Sequence, residues 1–265
     1  MELRLAAFNA FITQNPAEKV SSAGVLYTEA ATLLIANNAV IAAHTAPGAP
    51  ARPLVLNPLQ VNKRSPFTLE GHAALMHAIC HIEFNAINLA LDAIWRFPHM
   101  PDTYYRDWAL VAKEEAYHFS LLRAHLQGLG HGYGDFPAHD GLWAMCEKTK
   151  DDVVARMALV PRTLEARGLD ATPLIQNKLR KVNTPYAREA VAILDIILND
   201  EIGHVAIGNH WYRWLCQQGG LDPIAHYGLL QARYAAPKLK PPFNLPARMQ
   251  AGFTAVELEF LHAMR

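Results

Sequence analysis

Apolar residues recur at helical spacing along most of this chain, and they predict four long helices. The predicted helices run from about 68 to 97, 102 to 129, 139 to 168 and 185 to 217. In each, apolar residues three and four positions apart fall on one face of the helix. There is no convincing β pattern, and no internal repeat apart from one short motif. The sequence therefore predicts an all-α protein.

The segments on either side of these helices are shorter or rich in proline. Helices are expected at 2–13 and 17–43, and the five prolines between 45 and 66 predict an extended strap rather than a helix or an inner strand. A short helical piece is expected at 173–182, and one or two short helices around the proline-rich segment 237–243. We predict one domain made of N-terminal helices and strap (1–66), a bundle (67–218) and a C-terminal helical extension (219–265).

One short motif, Glu-x-x-His, occurs on two of the predicted helices. It places Glu115 with His118 and Glu201 with His204. Residues three apart share a helix face, so each pair directs a carboxylate and an imidazole to one point. Desolvating such groups within an apolar helix is unfavourable unless they bind something, and a metal ion would qualify. One pair arises by chance on many helices, whereas two pairs on separate long helices favour a shared metal site.

A third acidic residue, Glu83, interrupts the apolar stripe of the predicted helix at 68–97. A carboxylate in the middle of such a stripe is costly unless it is paired or binds a ligand. Glu83 is therefore a candidate metal ligand. The alternative is an ion pair with an arginine from a neighbouring helix.

Composition and charge exclude several classes of protein. The chain has 265 residues, 51% of them hydrophobic, with 24 Lys+Arg balanced by 24 Asp+Glu. A net charge of zero disfavours a nucleic-acid-binding surface. Three widely spaced cysteines, Cys80, Cys146 and Cys216, are typical of reduced thiols in a core. The N-terminus is a poor signal peptide and no long uninterrupted apolar run is present, so we expect a cytoplasmic protein without a membrane span.

Several longer strings resemble the ferritin-like superfamily of di-iron carboxylate proteins, most closely an uncharacterised bacterial branch. They are His81-Ile82-Glu83, Glu114-Glu115-x-x-His118-Phe119 and Asp200-Glu201-x-x-His204-Val205, with the segments at 134–143 and 160–170. The resemblance covers about residues 68–217. It implies a four-helix bundle with additional N- and C-terminal helices around two metal ions.

The resemblance also implies a ligand set, residue by residue. The implied metal ligands are Glu83, Glu115, His118, Glu165, Glu201 and His204. Glu165 lies near the end of its predicted helix, so Glu147 and Asp151 remain alternatives for the sixth ligand. By analogy, Asp200 would orient His118 and Glu114 would orient His204 in a second shell. The alternative for Glu114 is a solvent-facing charge.

The residue types favour iron or manganese. Four carboxylates and two neutral imidazoles nearly neutralise two divalent cations, and such oxygen and nitrogen ligands suit Fe(II) and Mn(II). The chain has no thiolate spacing typical of structural zinc. We therefore expect two iron ions, with manganese as an option in one or both sites.

Other histidines are weaker candidates for metal ligands. His72, His77 and His81 are expected in polar packing or a second-shell network, and His125 as a satisfied core or surface histidine. Leu122 stands where radical-forming relatives carry tyrosine, one turn after His118. This difference counts against a tyrosyl-radical role of the ribonucleotide reductase type.

Two classes of function fit these observations. The favoured one is an O2-dependent oxidoreductase, a hydroxylase or oxidase acting on a small organic substrate, with an electron donor if it is an oxygenase. No catalytic residue is assigned beyond the metal ligands. The alternatives are a ferroxidase or other iron-handling protein, a transfer-RNA hydroxylase, and a metal-free scaffold with a vestigial site. The sequence leaves a homodimer open, and the modest basic cluster at 178–188 disfavours a nucleic-acid partner.

Overall fold

A computed structural model describes residues 2–42, 45–62 and 64–263. Over these ranges the protein is helical, with isolated bridges at Glu2–Leu34 and Val55–Ala138 and no β-strand, which confirms the all-α class. The helices are α1 Leu3–Ile12, α2 Pro16–Glu29, α3 Leu69–Arg96, α4 Asp102–Gly128, α5 Gly141–Lys148, α6 Val153–Leu159, a π-helical segment Val160–Glu165, α7 Ala166–Val182, α8 Pro185–Gln218, α9 Pro223–Arg233, α10 Leu245–Gln250 and α11 Ala255–Ala263, with a 3-10 turn at Pro58–Gln60.

The chain forms two compact units, and both are discontinuous in sequence. The first comprises Met1–Trp143 with Val182–Ile193, and the second comprises Ala144–Lys181 with Leu194–Arg265. The long helix α8 therefore contributes its first residues to one unit and the rest to the other. The domain boundaries expected at 66 and 218 stay a prediction.

In the first unit, α3 and α4 form the central helix pair, with α1 packed on α3 and α2 packed on α4. The hydroxyl of Thr68 caps α3 by accepting a hydrogen bond from the backbone N–H of Gly71 at 3.1 Å. From Phe84 to Trp95, every residue of α3 is buried. These two helices match the predicted helices at 68–97 and 102–129 to within one residue at each end.

The helix predicted at 17–43 is wrong beyond Glu29, where α2 ends. Buried Arg4 explains where the chain goes instead, because its Nη1 donates to the carbonyl oxygens of Ala36 at 2.7 Å and Ala39 at 2.6 Å. These carbonyls are held by a distant side chain rather than by a helical turn. Leu34 is exposed, so this segment buries no apolar face that would stabilise a helix. Residues 43 and 44, the end of the predicted helix and the residue after it, lie outside the described residues.

The strap at 45–66 is non-helical apart from the short 3-10 turn, as its prolines predict, and Lys63 is not described. Buried Lys19 joins it to the helices, because its Nζ donates to the carbonyl oxygens of Gly48 at 2.8 Å and Phe11 at 3.0 Å and to the side-chain oxygen of Asn88. The charge is thus surrounded by acceptors from three parts of the unit.

The single helix predicted at 139–168 is wrong in two respects. A turn after Lys148 separates α5 from α6, where Asp152 caps α6 and Arg156 donates to Thr149 Oγ1 at 2.9 Å. The helix also continues past Gly168 to Val182, through Pro173. Proline removes the hydrogen bond that Leu169 O would receive, and Asn244 Nδ2 replaces it at 3.1 Å. The separate helical piece expected at 173–182 is therefore the second part of α7.

A π-helical segment precedes α7. Its Pro161 has no N–H to donate to the preceding turn, and the hydroxyl of Thr163 donates to the carbonyl oxygen of Ala158 at 2.7 Å. Pro161 packs against Gly208 of α8 so closely that a Cβ on the glycine would lie 2.5 Å from the proline Cβ. Only glycine allows this approach of α8 to the π-helical segment.

The C-terminal part of the second unit is fastened by buried charges. Arg162 Nη2 lies 2.8 Å from Glu257 Oε1, and Arg213 Nη2 lies 2.8 Å from Glu257 Oε2. Three short helices, α9 to α11, occur where one or two were expected, and residues 237–243 are non-helical as predicted. The ion pairs place α11 beside the π-helical segment and α8.

Among the residues that the structure describes, one helix, α3, is long and apolar enough to cross a membrane by length and composition alone. Of its most apolar 18-residue window, 72% is buried inside the protein. The core helix of a globular protein has the same features, so they are weak evidence for a membrane span.

A buried carboxylate–imidazole cluster as candidate metal centre

Three predicted ligands meet between α3 and α4 in the first unit. Glu83 comes from α3, and Glu115 and His118 come from one face of α4, where the three-residue spacing aligns them. The Nδ1 atom of His118 lies 3.2 Å from Glu83 Oε2 and 3.4 Å from Glu115 Oε2. The ligand atoms of the three residues lie within 4.8 Å of one another.

These three side chains are almost completely withdrawn from solvent. Glu83 is 4% exposed, and Glu115 and His118 are 0% exposed. Around them lie fully buried apolar groups on the same two helices, including Ile87 and Leu122. Water therefore cannot screen the charges of the cluster.

Burial and crowding change how the cluster titrates. Burial, reinforced by the charge of Glu115, raises the pKa of Glu83 well above its ordinary value. Burial lowers the pKa of His118, but hydrogen bonds to Glu115 and Glu83 outweigh it and raise the pKa to about 11. The cluster therefore retains protons at neutral pH, and a divalent cation would displace them on binding.

The donor set of the cluster fits a metal ion of the iron or manganese type. Two carboxylates and one imidazole are the oxygen and nitrogen donors that these ions prefer. The arginine partner considered for Glu83 is not its neighbour; an imidazole and a second carboxylate are. A buried cluster of Glu and His that could hold a metal ion is thus present, and its geometry leaves the identity and number of ions open.

The other three predicted ligands lie in the second unit, and each is buried. Glu201 and His204 share one face of α8, with Glu201 Oε1 3.7 Å from His204 Nδ1. Their side chains reproduce the arrangement of Glu115 and His118 on α4. Glu165 closes the π-helical segment and is 7% exposed. Because α7 follows it directly, Glu165 lies within a continuous helical stretch, and the expectation that it stands near a helix end is wrong.

The alternatives to Glu165 are less suitable. Glu147 forms an ion pair with Lys150 at 2.7 Å, and Asp151 is exposed in the turn before α6. Glu114 and Asp200, the predicted second-shell residues, are both half-buried on the helices of their neighbouring ligands. Their orienting roles stay a prediction.

His72, His77 and His125 lie in polar packing networks, as expected. His72 Nε2 and His125 Nε2 lie 3.1 Å apart, and His125 Nδ1 lies 3.2 Å from Glu189. His77 Nε2 accepts a hydrogen bond from the backbone N–H of Gly134 at 2.8 Å. Each imidazole has a role that does not need a metal.

One network was not predicted. His81 Nδ1 lies 2.9 Å from the hydroxyl of Tyr133, and its Nε2 lies 2.8 Å from Asp140. Both partners lie in the segment after α4: Asp140 is within the string at 134–143, and Tyr133 immediately precedes it. Their sequence separation of more than fifty residues gave no local pattern from which to infer the contact.

Together, the fold and the cluster define an all-α protein with a buried carboxylate–imidazole site suited to a metal ion. Comparison with protein families matches residues 12–259 to the family described as "Protein of unknown function (DUF455)". The chain therefore belongs to this family. It is also 52% identical over 220 residues to a protein of Haemophilus influenzae named "Uncharacterized protein", covering 80% of this chain and 75% of the relative. No solved structure matches the chain.

Proposed function

We propose that this protein is a ferritin-like di-iron protein that uses O2 to oxidise a small organic substrate. The observation that supports the proposal is the cluster of Glu83, Glu115 and His118, three buried side chains of the types that bind metal ions. The repetition of the same Glu-x-x-His arrangement by buried Glu201 and His204 supports a second metal ion.

The proposed ligand set combines both motifs with two further carboxylates. The six ligands are Glu83, Glu115, His118, Glu165, Glu201 and His204, with Glu114 and Asp200 orienting the imidazoles. Iron is the proposed metal, and manganese in one or both positions is compatible with the same donors. When bound, the metal ions supply the redox chemistry with O2 that no side chain of the cluster can supply.

The protein itself would contribute charge, orientation and a dry environment. Glu83 and Glu115 bring negative charge to the site, and an α-helix on each side fixes their distance from His118. The buried rings of Phe84 and Phe119, 5.5 Å apart, come from residues adjacent to Glu83 and His118. Such apolar walls exclude water, which would otherwise weaken electrostatic interactions and consume reactive species.

Metal loading and O2 consumption test this proposal. Protein stripped of metal is loaded with Fe(II) without oxygen, desalted, analysed for iron and then exposed to O2. We expect about two irons per chain, as in di-metal carboxylate bundles, and we expect the iron to stay bound after oxidation. Less than one bound iron per chain would overturn the proposal.

The same experiment separates the alternatives. A ferroxidase or storage protein would oxidise iron well beyond the stoichiometry of its site and release it. An oxygenase would consume further O2 only when an electron donor and a substrate are supplied. Stimulation of that uptake by transfer RNA, but not by small molecules, would change the substrate class to RNA.

A further inference from the structure

The first unit contains a cavity of about 490 Å³ beside the end of α4, away from the metal-ligand side chains. Its lining combines the N-terminus of α2, the strap, the last turns of α4 and the loop after α4. The lining residues are Asn15, Pro16, Ala17, Pro50, Ala51, Arg52, Arg123, Gln127, Gly132 and Tyr133. This volume falls within the range of small-molecule sites.

The charge of the lining is entirely positive. Arg52 and Arg123 face the cavity, and no Asp or Glu lines it. Within the described ranges, neither guanidinium forms an ion pair or a hydrogen bond. Two acidic residues lie close in sequence to the lining: Glu18, which follows Ala17 and is exposed in the first turn of α2, and Asp135, two residues after Tyr133. Asp135 accepts a hydrogen bond from the N–H of Gly132 at 2.7 Å and faces His131 at 3.8 Å, so other donors occupy it.

Helix ends change this balance little. The N-terminus of α2 contributes about half a positive charge, and the C-terminus of α4 about half a negative one, so the two roughly cancel. The two guanidinium charges therefore decide the sign of the potential. Two such planar groups are suited to the paired oxygens of a carboxylate or a phosphate.

The fold holds Arg52 at the cavity by specific backbone contacts. The strap pairs with the segment after α4 through Leu56 N to Ala138 O at 2.8 Å and Ala138 N to Leu54 O at 3.0 Å. Gly134, with a φ of 111°, leaves room for the Cβ of Arg52, which a Cβ on the glycine would approach to 2.9 Å. Arg52 is thus placed by the tertiary structure, although its side chain is exposed.

Tyr133 forms the inner wall of the cavity. Its hydroxyl bonds to His81, and its ring lies 5.0 Å from Phe119 and 5.5 Å from Phe84, centroid to centroid. A ligand in the cavity would therefore meet cationic groups at the arginines and part of the Tyr133 side chain. This combination suits a small organic acid better than an inorganic ion alone.

We propose that this cavity binds a small organic anion, whose carboxylate or phosphate pairs with Arg52 and Arg123 while its apolar part contacts Tyr133. The proposal concerns a site distinct from the metal-ligand cluster, and it holds whether or not the protein binds iron. Because the cavity is separate from the metal-ligand cluster, an anion bound there would act on the proposed oxidoreductase as an effector rather than as its substrate.

Calorimetric titration of metal-free protein with two probes, sodium benzoate and inorganic phosphate, tests the site. We expect saturable binding of benzoate with a dissociation constant of about 1 mM or tighter. Arg123→Gln and Arg52→Gln should each weaken binding about tenfold or more, since each loses a charge-assisted pair. Arg123→Lys keeps the positive charge but loses the planar two-donor geometry of the guanidinium. Its affinity for benzoate should therefore lie between those of the parent and Arg123→Gln.

Arg167→Gln is the matched control, because Arg167 is exposed in the second unit and the substitution changes the net charge equally. It should bind benzoate like the parent. Circular dichroism confirms that each variant is folded. If phosphate binds and benzoate does not, with the same loss in Arg123→Gln, the anion site stands and its ligand is a phosphate. No saturable binding of either probe, or equal binding by parent and Arg123→Gln, would overturn the proposal.

Discussion

The Nδ1 atom of His118 lies 3.2 Å from an oxygen of Glu83, although the two residues come from different helices. The same nitrogen lies 3.4 Å from Glu115 on its own helix. The two carboxylates are also close enough to repel each other, which helps to raise the pKa of Glu83. A cation would offset this repulsion, and this makes Glu115 the most informative residue to change.

Glu115→Gln should remove one metal ion from the loaded protein, because the amide keeps the shape of the carboxylate but neither its charge nor its full ligand strength. The metal-free variant should remain folded with a stability close to that of the parent, since the change removes both the repulsion that helps to raise the pKa of Glu83 and the charge that helps to raise the pKa of His118, and these effects oppose each other. Metal analysis and urea unfolding measure the two effects. Glu70→Gln, an exposed change on α3, is the control. Parent-like metal content in Glu115→Gln would show that Glu115 is not a ligand.

Gly208→Ala should destabilise the protein by about 1–3 kcal/mol, because its new Cβ would overlap Pro161 in the π-helical segment. Gly203→Ala on the same helix is the matched control, since no atom lies within 4 Å of its Cβ position. Alanine there should stabilise α8 by up to about 1 kcal/mol. Chemical denaturation compares them, and equal effects would mean that the close approach of α8 to Pro161 does not matter.

Glu257→Gln should cost about 3–5 kcal/mol at neutral pH, because it leaves Arg162 buried with an uncompensated charge. Glu259→Gln, an exposed change on the same helix, should have little effect. Urea unfolding curves at pH 7 measure the difference. A loss of less than about 1 kcal/mol would indicate that other acceptors satisfy Arg162.

Glu257 also predicts how the stability of the protein depends on pH in the acid range. Although burial alone raises the pKa of Glu257, the charge of Arg162 and the hydrogen bonds outweigh it, and the net pKa is lowered from 4.5. A carboxyl with a lowered pKa in the folded state stabilises the protein above its unfolded value and loses this contribution as the pH falls through the folded value. The parent should therefore lose its advantage over Glu257→Gln below about pH 4.5. If the difference in unfolding free energy between the parent and Glu257→Gln stayed constant down to the lowest pH at which both are folded, this assignment would be contradicted.

His77 predicts a second pH dependence, in a milder range. Burial, with help from His81, lowers its pKa from 6.5 to about 4. The unfolded chain therefore binds the proton more tightly, and stability should fall as the pH drops from 6.5 towards 4, with His77 contributing roughly 3 kcal/mol of the loss. His77→Gln should flatten this part of the profile, while His210→Gln at an exposed site should not. The unfolding free energies of the parent and of His77→Gln are measured at pH 7, 6, 5 and 4. The same slope with pH in both proteins would show that His77 is not responsible.

The sequence by itself determined the helical class, the extents of α3, α4 and α8, and the pairing of Glu115 with His118 and of Glu201 with His204. These features follow from residues three or four positions apart, whose alignment on a helix face is a local property. Glu83 was also identifiable, because an acidic residue within an apolar stripe is costly without a partner.

Only the tertiary structure decided where local preference gives way. The carbonyls of Ala36 and Ala39 are taken by Arg4, and the carbonyl left by Pro173 is taken by Asn244, so one predicted helix stops and another continues. In the same way, Arg52 and Arg123 share a cavity although 71 residues separate them in the chain. Such contacts depend on packing between distant segments, and the periodicity of neither segment contains them.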